Sequence, residues 1–146
     1  MIQFIYSPFV KLRIHASLMQ TRAHSTMHIL QIESQDVTVK ICGDTEIREF
    51  NKNYRGIDQT TDVLSFSLEF KEPQSNAEYL GDIVISYPAA KKQAQEHHQS
   101  LEDELTFLLI HGLLHLMGHD HDKLEDERKM FSLQENLFKQ VLGKYE

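Results

Sequence analysis

The sequence is poor in several residue types, and each scarcity excludes a class of protein. Cysteine occurs once, at Cys42, so no intramolecular disulfide can form, which is typical of a reducing compartment. Six glycines and three prolines in 146 residues are too few for a low-complexity chain. The N-terminus has no basic segment followed by a long apolar run, and the longest apolar stretch, residues 105–117, is too short to span a bilayer. We therefore expect a cytoplasmic protein that does not associate with a membrane.

Positive charge is also scarce. The 15 lysines and arginines are outnumbered by 22 acidic residues, which gives a net charge of −7 at pH 7. A protein that binds nucleic acid over a broad surface is usually basic, so any such contact here has to be local, in a cleft that carries a few cations. The length predicts a single domain, residues 1–146, large enough to bury a core.

Hydrophobic periodicity predicts an α+β fold. Strands are expected near residues 2–5 and over residues 36–42, 64–70 and 83–85, and residues 71–79 are expected to form a loop. Helices are expected over about residues 12–30, 44–55, 87–98 and 101–117. A last helix ends near Gly143, with Leu124, Phe131 and Phe138 as its buried stripe. Together these elements predict a small three- to four-stranded mixed sheet packed with about five helices.

Four of the nine histidines fall within residues 111–121, and their spacing has a geometric meaning. His111 and His115 are four residues apart and therefore share one face of a helix. Gly118 suits the left-handed turn that ends a helix, after which the chain can return a third imidazole from His121. Three neutral nitrogens with a fourth position left open are typical of a catalytic zinc site. We predict one Zn²⁺ bound by these three histidines, with His119 lining the site or facing solvent.

The same spacing occurs in the zinc-protease motif His-Glu-x-x-His-x-x-Gly-x-x-His, so the helix is zincin-like. The position that holds the general-base glutamate in the proteases is Gly112 in this chain. Two histidines at four-residue spacing often occur by chance. The third histidine and the intervening glycine make metal binding the better interpretation.

A second polar set lies between residues 51 and 62 and includes Asn51, Tyr54, Arg55 and Asp62, which we expect to rim a cleft. The planar guanidinium of Arg55 suits a phosphate. Residue type alone favours a different interpretation, in which Arg55 bonds the free carbonyls at a helix end and Asp62 is a turn residue.

Three carboxylates are candidates for a base or for supporting the metal ligands: Asp62, Asp82 and Glu104. Glu104 precedes His111 by seven residues and so shares its helical face, about 10 Å away along the axis. Its position in the first helical turn also suits a plain capping acid.

Three segments resemble the YbeY family of bacterial rRNA-maturation endoribonucleases. They are the run N-x-x-Y-R-G-x-D-x-x-T-D-V-L-S-F at residues 51–66, the run G-D-I-V-I at residues 81–85, and the histidine motif. The resemblance extends over roughly residues 36–140. It departs at Ser67, where the family commonly has proline, and at His119, where an aromatic residue is frequent.

The resemblance implies a zinc ion held by His111, His115 and His121, with Arg55 in RNA binding or catalysis. It also implies a metal-dependent hydrolase domain that cleaves single-stranded RNA during 16S rRNA maturation and ribosome quality control. The implied partners are ribosomal RNA and the small ribosomal subunit with its proteins, and DNA is not expected as a substrate.

Two alternatives remain open at the level of sequence. A zinc metalloprotease shares the ligand spacing but needs a base that the motif does not supply. A non-catalytic zinc module that binds ribosomes is compatible with the acidic net charge.

Overall fold

A computed structural model describes residues 1–67, 79–119 and 123–143 of the protein. Within these ranges it contains four strands and five helices. They run in the order β1 (Ile2–Tyr6), α1 (Ala16–Ile29), β2 (Asp36–Cys42), α2 (Asp44–Arg55), β3 (Val63–Ser67), β4 (Tyr79–Ser86), α3 (Tyr87–Glu96), α4 (Leu101–Leu116) and α5 (Leu124–Val141). Three predicted features lie wholly or partly outside the described residues. They are the end of the strand predicted over residues 64–70, most of the loop predicted over residues 71–79, and the predicted ligand His121.

The strands form one mixed sheet in the order β1-β2-β4-β3. Strand β2 pairs in parallel with β1 and β4, whereas β3 pairs antiparallel with β4 and lies at the edge. This sheet and the five helices of the described part confirm the predicted α+β class.

Both faces of the sheet are packed against helices. Because successive side chains of a strand point to opposite faces, Val39 and Ile83 lie against α1 and α4. Leu64 and Val84 point the other way and pack against Ile47 of α2. The order of layers is therefore α2, sheet, then α1 with α4, and α5 packs on the outer side of α4.

Helix α4 is the central helix of the fold, because most of its residues from Glu104 onward are buried. The Ser100 hydroxyl caps its first turn by accepting a hydrogen bond from the Asp103 amide at 3.0 Å. Arg22 of α1 pairs with the Asp103 carboxylate at 2.7 Å and holds the two helices together. None of the helices in the described ranges is long and apolar enough to cross a membrane.

Two helices differ from the sequence prediction. Helix α1 begins at Ala16, four residues late, because the His15 ring caps it by accepting from the Leu18 amide at 3.1 Å. In α5 the predicted buried stripe is wrong for Leu124 and Phe131, which are 64% and 58% exposed. The side chains of α5 that are buried against the fold are Met130, Gln134 and Leu137.

Candidate metal centre

The packing of α4 on the sheet determines where its histidines lie. Gly112 faces Ile83 so closely that an added Cβ would lie 2.9–3.1 Å from three atoms of that side chain. The Gly112 carbonyl also accepts a hydrogen bond from the Ser65 hydroxyl of β3 at 3.0 Å. Any larger side chain at position 112, including the glutamate of the protease motif, would crowd Ile83.

His111 and His115 lie side by side on α4, as their spacing predicts. Their Nε2 atoms are 3.1 Å apart, and the ring centroids are separated by 4.6 Å at an interplanar angle of 73°. Two nitrogens bound to one tetrahedral zinc at about 2.0–2.1 Å would lie roughly 3.3 Å apart. The separation of the two Nε2 atoms is therefore close to the one that a shared zinc ion requires.

The end of α4 has the geometry expected of a chain that turns back. Gly118 adopts a φ of +96°, and its amide donates to the His115 carbonyl at 3.0 Å. The His119 amide donates to the Leu114 carbonyl at 3.0 Å, which completes a Schellman motif. The chain is thus turned two residues before His121, and the glycine turn predicted from the sequence is confirmed.

The third predicted ligand stays a prediction, because His121 is not among the described residues. No third histidine, cysteine, aspartate or glutamate of residues 1–67, 79–119 and 123–143 completes a metal-binding group with the pair. His119 lines a small hollow with Gly118, Asp126 and Lys129. Burial raises the pKa of the Cys42 thiol to about 11, so this side chain is a poor candidate for a ligand or nucleophile.

Sequence analysis did not predict a role for Gln134, a residue of α5 that contacts His111. Its Oε1 lies 3.2 Å from Nδ1 of His111, and its Nε2 lies 3.4 Å from the Phe107 carbonyl. The side chain is buried, with 4% exposure. The sequence gives one indication of this role: Gln134 follows Met130 by four residues, so it lies on the same buried face of α5.

Glu104 is engaged elsewhere, and its candidate role beside the metal is not supported. It is fully buried and bonds Nδ1 of His97 at 2.7 Å and Nε2 of Gln99 at 2.6 Å. These contacts close the turn between α3 and α4, two helical turns from His111.

The other two candidate carboxylates also have structural partners. Asp62 accepts from the Val63 amide at 2.8 Å and from Nε2 of Gln93 at 3.2 Å, which ties the start of β3 to α3. Asp82 accepts from the Tyr79 hydroxyl and faces away from α4, because it alternates with Ile83. Burial and this hydrogen bond raise the pKa of Tyr79. Asp82 also lines the groove that Tyr54 borders. The roles of both carboxylates as a base or as support for the metal ligands stay predictions.

The polar set around Arg55 separates into structural and exposed residues. Asn51 is buried and donates to the Gln59 carbonyl at 3.0 Å, which fixes the loop after α2. Gly56, with a φ of +71°, ends α2 by donating to the Lys52 carbonyl at 3.0 Å. The exposed Arg55 guanidinium makes no hydrogen bond or ion pair within the described part of the chain. The interpretation of Arg55 as a cap for free carbonyls is therefore not supported.

Tyr54, next to Arg55, borders a groove of about 530 Å³ on the α2 face of the sheet. The centroid of its ring lies 5.2 Å from that of Phe66 and 6.2 Å from that of Phe50. Tyr54 itself is 70% exposed. The ammonium of Lys40 lies 5.5 Å from the centre of the Phe50 ring. The groove therefore combines aromatic surface with one cation, Lys40, and one carboxylate, Asp82.

The chain is similar to known proteins over most of its length. The family model for endoribonuclease YbeY matches residues 10–142. Endoribonuclease YbeY of Persephonella marina is 44% identical over 113 residues, which are 77% of this chain and 74% of the relative. The Shouchella clausii protein of the same name is 39% identical over 133 residues, 84% of this chain and 83% of the relative.

The fold also matches a solved structure. The solution structure of TM1509 from Thermotoga maritima aligns with a TM-score of 0.66 and 28% identity, over 99% of this chain and 91% of the other. The protein is thus an α+β domain built around a buried helix that carries two adjacent histidines. It belongs to the endoribonuclease YbeY family.

Proposed function

We propose that the protein is a metal-dependent endoribonuclease that cleaves single-stranded segments of ribosomal RNA. The observation that carries the proposal is the convergence of His111 and His115, whose Nε2 atoms lie 3.1 Å apart on a buried helix. The relatives that match most of the chain are named endoribonucleases. The proposed domain is a single hydrolase unit formed by residues 1–146.

His111 and His115 would bind one zinc ion together with His121, which follows α4 in the sequence. The 3.1 Å separation and the packed position of the helix fit this ion. When bound, zinc supplies a positive centre that acidifies water and offsets negative charge on phosphate oxygens. The contact of Gly112 with Ile83 and its hydrogen bond with Ser65 fix the part of α4 that carries the two described ligands.

Arg55 would bind a phosphate of the RNA backbone. Its guanidinium is exposed, remains charged at any working pH and has no bond to a carboxylate in the described residues. The net charge of −7 disfavours RNA binding over a broad surface. A contact through one exposed arginine is local and is compatible with that charge.

The exposed ring of Tyr54 offers a reason for single-strand selectivity. Stacking on an aromatic side chain requires a base that is unpaired and free to leave its neighbours. Lys40, which lies over the Phe50 ring and pairs with Glu46 at 3.3 Å, lines the same groove. RNA duplexes would present no free base to this surface.

The finer biological assignments are part of the same proposal. Ribosomal RNA as substrate predicts association with the small ribosomal subunit and its proteins, and with it a cytoplasmic location. DNA would be a poor substrate, because a 2′-hydroxyl distinguishes RNA at a site that holds the sugar.

The metalloprotease alternative is disfavoured by the position of Gly112. This chain lacks the glutamate that serves as base in the proteases, and a side chain at position 112 would crowd Ile83. The candidate carboxylates Asp62, Asp82 and Glu104 are each hydrogen-bonded to another group.

A direct experiment separates the three functions. Zinc-loaded protein is incubated with a single-stranded RNA, the same sequence as a duplex, and unfolded casein, each before and after chelation. The proposal expects cleavage of the single strand alone, lost on chelation and restored by zinc. Casein cleavage would favour the protease, and binding to ribosomal particles without any cleavage would favour the non-catalytic module.

A further inference from the structure

We infer that Gln134 is a positioning residue that sets the tautomer and the orientation of His111 for metal binding. This inference rests on the proposed metal site and adds to it a residue from a different helix. Gln134 lies on α5, 23 positions after His111, and approaches the ring from the side opposite to His115.

The orientation of the Gln134 amide follows from the chemistry of its neighbours. The Phe107 carbonyl can only accept, so the NH₂ group of Gln134 has to face it, at 3.4 Å. The carbonyl Oε1 is then directed to Nδ1 of His111, at 3.2 Å. The other orientation of the amide would place two acceptors opposite each other at Phe107.

The same reasoning fixes the proton on His111. Oε1 of Gln134 can only accept, so the hydrogen bond requires that Nδ1 of His111 carries the hydrogen. A neutral imidazole protonated at Nδ1 presents its lone pair at Nε2. That nitrogen is the one that lies 3.1 Å from Nε2 of His115, where a shared ion would be bound.

Burial makes this arrangement stable. Gln134 is 4% exposed and packs between Met130 and Leu137 on the face of α5 that contacts α4. Water therefore competes weakly for its amide, and rotation of the amide would leave its buried carbonyl oxygen facing the Phe107 carbonyl, without a donor. Partners of this kind, which hold a ligand histidine by its second nitrogen, typically change metal affinity by about 10–100-fold when they are removed.

Two substitutions separate this role from simple packing. Gln134→Glu keeps an acceptor for His111 and loses the donor to Phe107, whereas Gln134→Met keeps the length of the side chain and loses both bonds. Leu137→Met, one turn further on the same buried face, is the matched control for a change in the packing of α5.

Zinc affinity is measured by competition with a chromophoric chelator for all four full-length proteins, and thermal unfolding without metal reports their stability. We expect Gln134→Met to bind zinc about 10–100-fold more weakly, with Gln134→Glu and Leu137→Met within about threefold of the wild type. Equal affinity for Gln134→Met and wild type, or equal weakening by Met and Glu, would overturn the inference. A wild-type protein that binds no zinc would instead refute the proposed function.

A second measurement does not depend on the stability of a variant. In ¹⁵N-histidine-labelled wild-type protein without metal at pH 8, His111 should show a protonated Nδ1 and an unprotonated Nε2. The opposite assignment for this ring would show that Gln134 does not set the tautomer.

Discussion

The close packing of α4 on the sheet at Gly112 can be tested by adding a methyl group there. Gly112→Ala would place a methyl group 2.9–3.1 Å from Cγ2, Cδ1 and Cγ1 of Ile83, nearer than ordinary van der Waals contact. Alanine in a helix stabilises by about 0.5–1 kcal/mol relative to glycine, whereas overpacking of a core costs about 1–3 kcal/mol. We expect a net loss in the free energy of unfolding of about 0.5–2 kcal/mol.

The origin of this loss can be isolated with Ile83→Ala, which removes all three contacting atoms. Alone, that substitution should cost about 2–5 kcal/mol, because it leaves a cavity under α4. In its presence the added methyl group meets no obstacle, so Gly112→Ala should become neutral or stabilising. The double-mutant cycle should therefore give a favourable coupling of about 1–3 kcal/mol.

The assay is urea unfolding of the four proteins followed by far-ultraviolet circular dichroism. A matched control pairs Ile83→Ala with Gly56→Ala, because a Cβ at Gly56 meets nothing within 4 Å and its cost comes from the φ of +71° alone. That pair should be additive. Additivity within about 0.5 kcal/mol for the Gly112 cycle as well would refute the proposed contact.

Three further predictions concern the histidine pair, the arginine and an acidic side chain. His115→Ala should abolish zinc binding and RNA cleavage together, and full cleavage by a metal-free variant would contradict the proposed site. Arg55→Ala should keep one zinc ion per chain while RNA turnover falls by at least about tenfold. Arg48→Ala is the control for the loss of a surface charge. Unchanged turnover in Arg55→Ala would show that Arg55 has no role in the mechanism.

The third of these predictions concerns the acidic side chain of Glu46. Burial opposes its ionisation, but a hydrogen bond from Ser7 at 2.5 Å and an ion pair with Lys40 at 3.3 Å outweigh burial and lower the pKa of Glu46. A carboxyl whose pKa is lowered by folding adds stability above its unfolded pKa and loses it as the pH falls through the folded value. The advantage of wild type over Glu46→Gln in urea unfolding should therefore shrink between pH 7 and pH 3, and a constant difference would count against it.

Local patterns in the sequence were sufficient for the elements that carry local signals. The alternation over residues 36–42 predicted β2 with its correct bounds, and Gly56 correctly marked the end of α2. Both signals depend on a few adjacent residues and on backbone geometry, so no knowledge of the tertiary fold was needed. The spacing of His111 and His115 correctly predicted that the two rings lie side by side, for the same reason.

The errors arise where distant parts of the chain decide the outcome. Phe131 was predicted to be buried, but the face of α5 that packs on α4 carries Gln134, whose amide is stabilised by partners on the other helix. Glu104 is buried because the turn before α4 folds over it and supplies His97. A periodic pattern contains no information on such partners.

The face of the sheet on which Asp82 lies is another feature that the sequence does not determine. In the run from Asp82 to Ile85 the last three residues are apolar, so the sequence does not reveal which side chains face α4. The register with β2 and β3 resolves this and directs Asp82 to the opposite face. A shift of one residue would have placed its carboxylate on the side of the histidine pair.

The central claim is that three histidines hold one catalytic metal ion, two of them on α4. The most direct measurement is the metal content of the purified full-length protein, paired with cleavage of single-stranded RNA before and after chelation. We predict one zinc ion per chain, loss of cleavage on chelation and its return with added zinc. Undiminished cleavage by protein shown to be free of metal would contradict the claim.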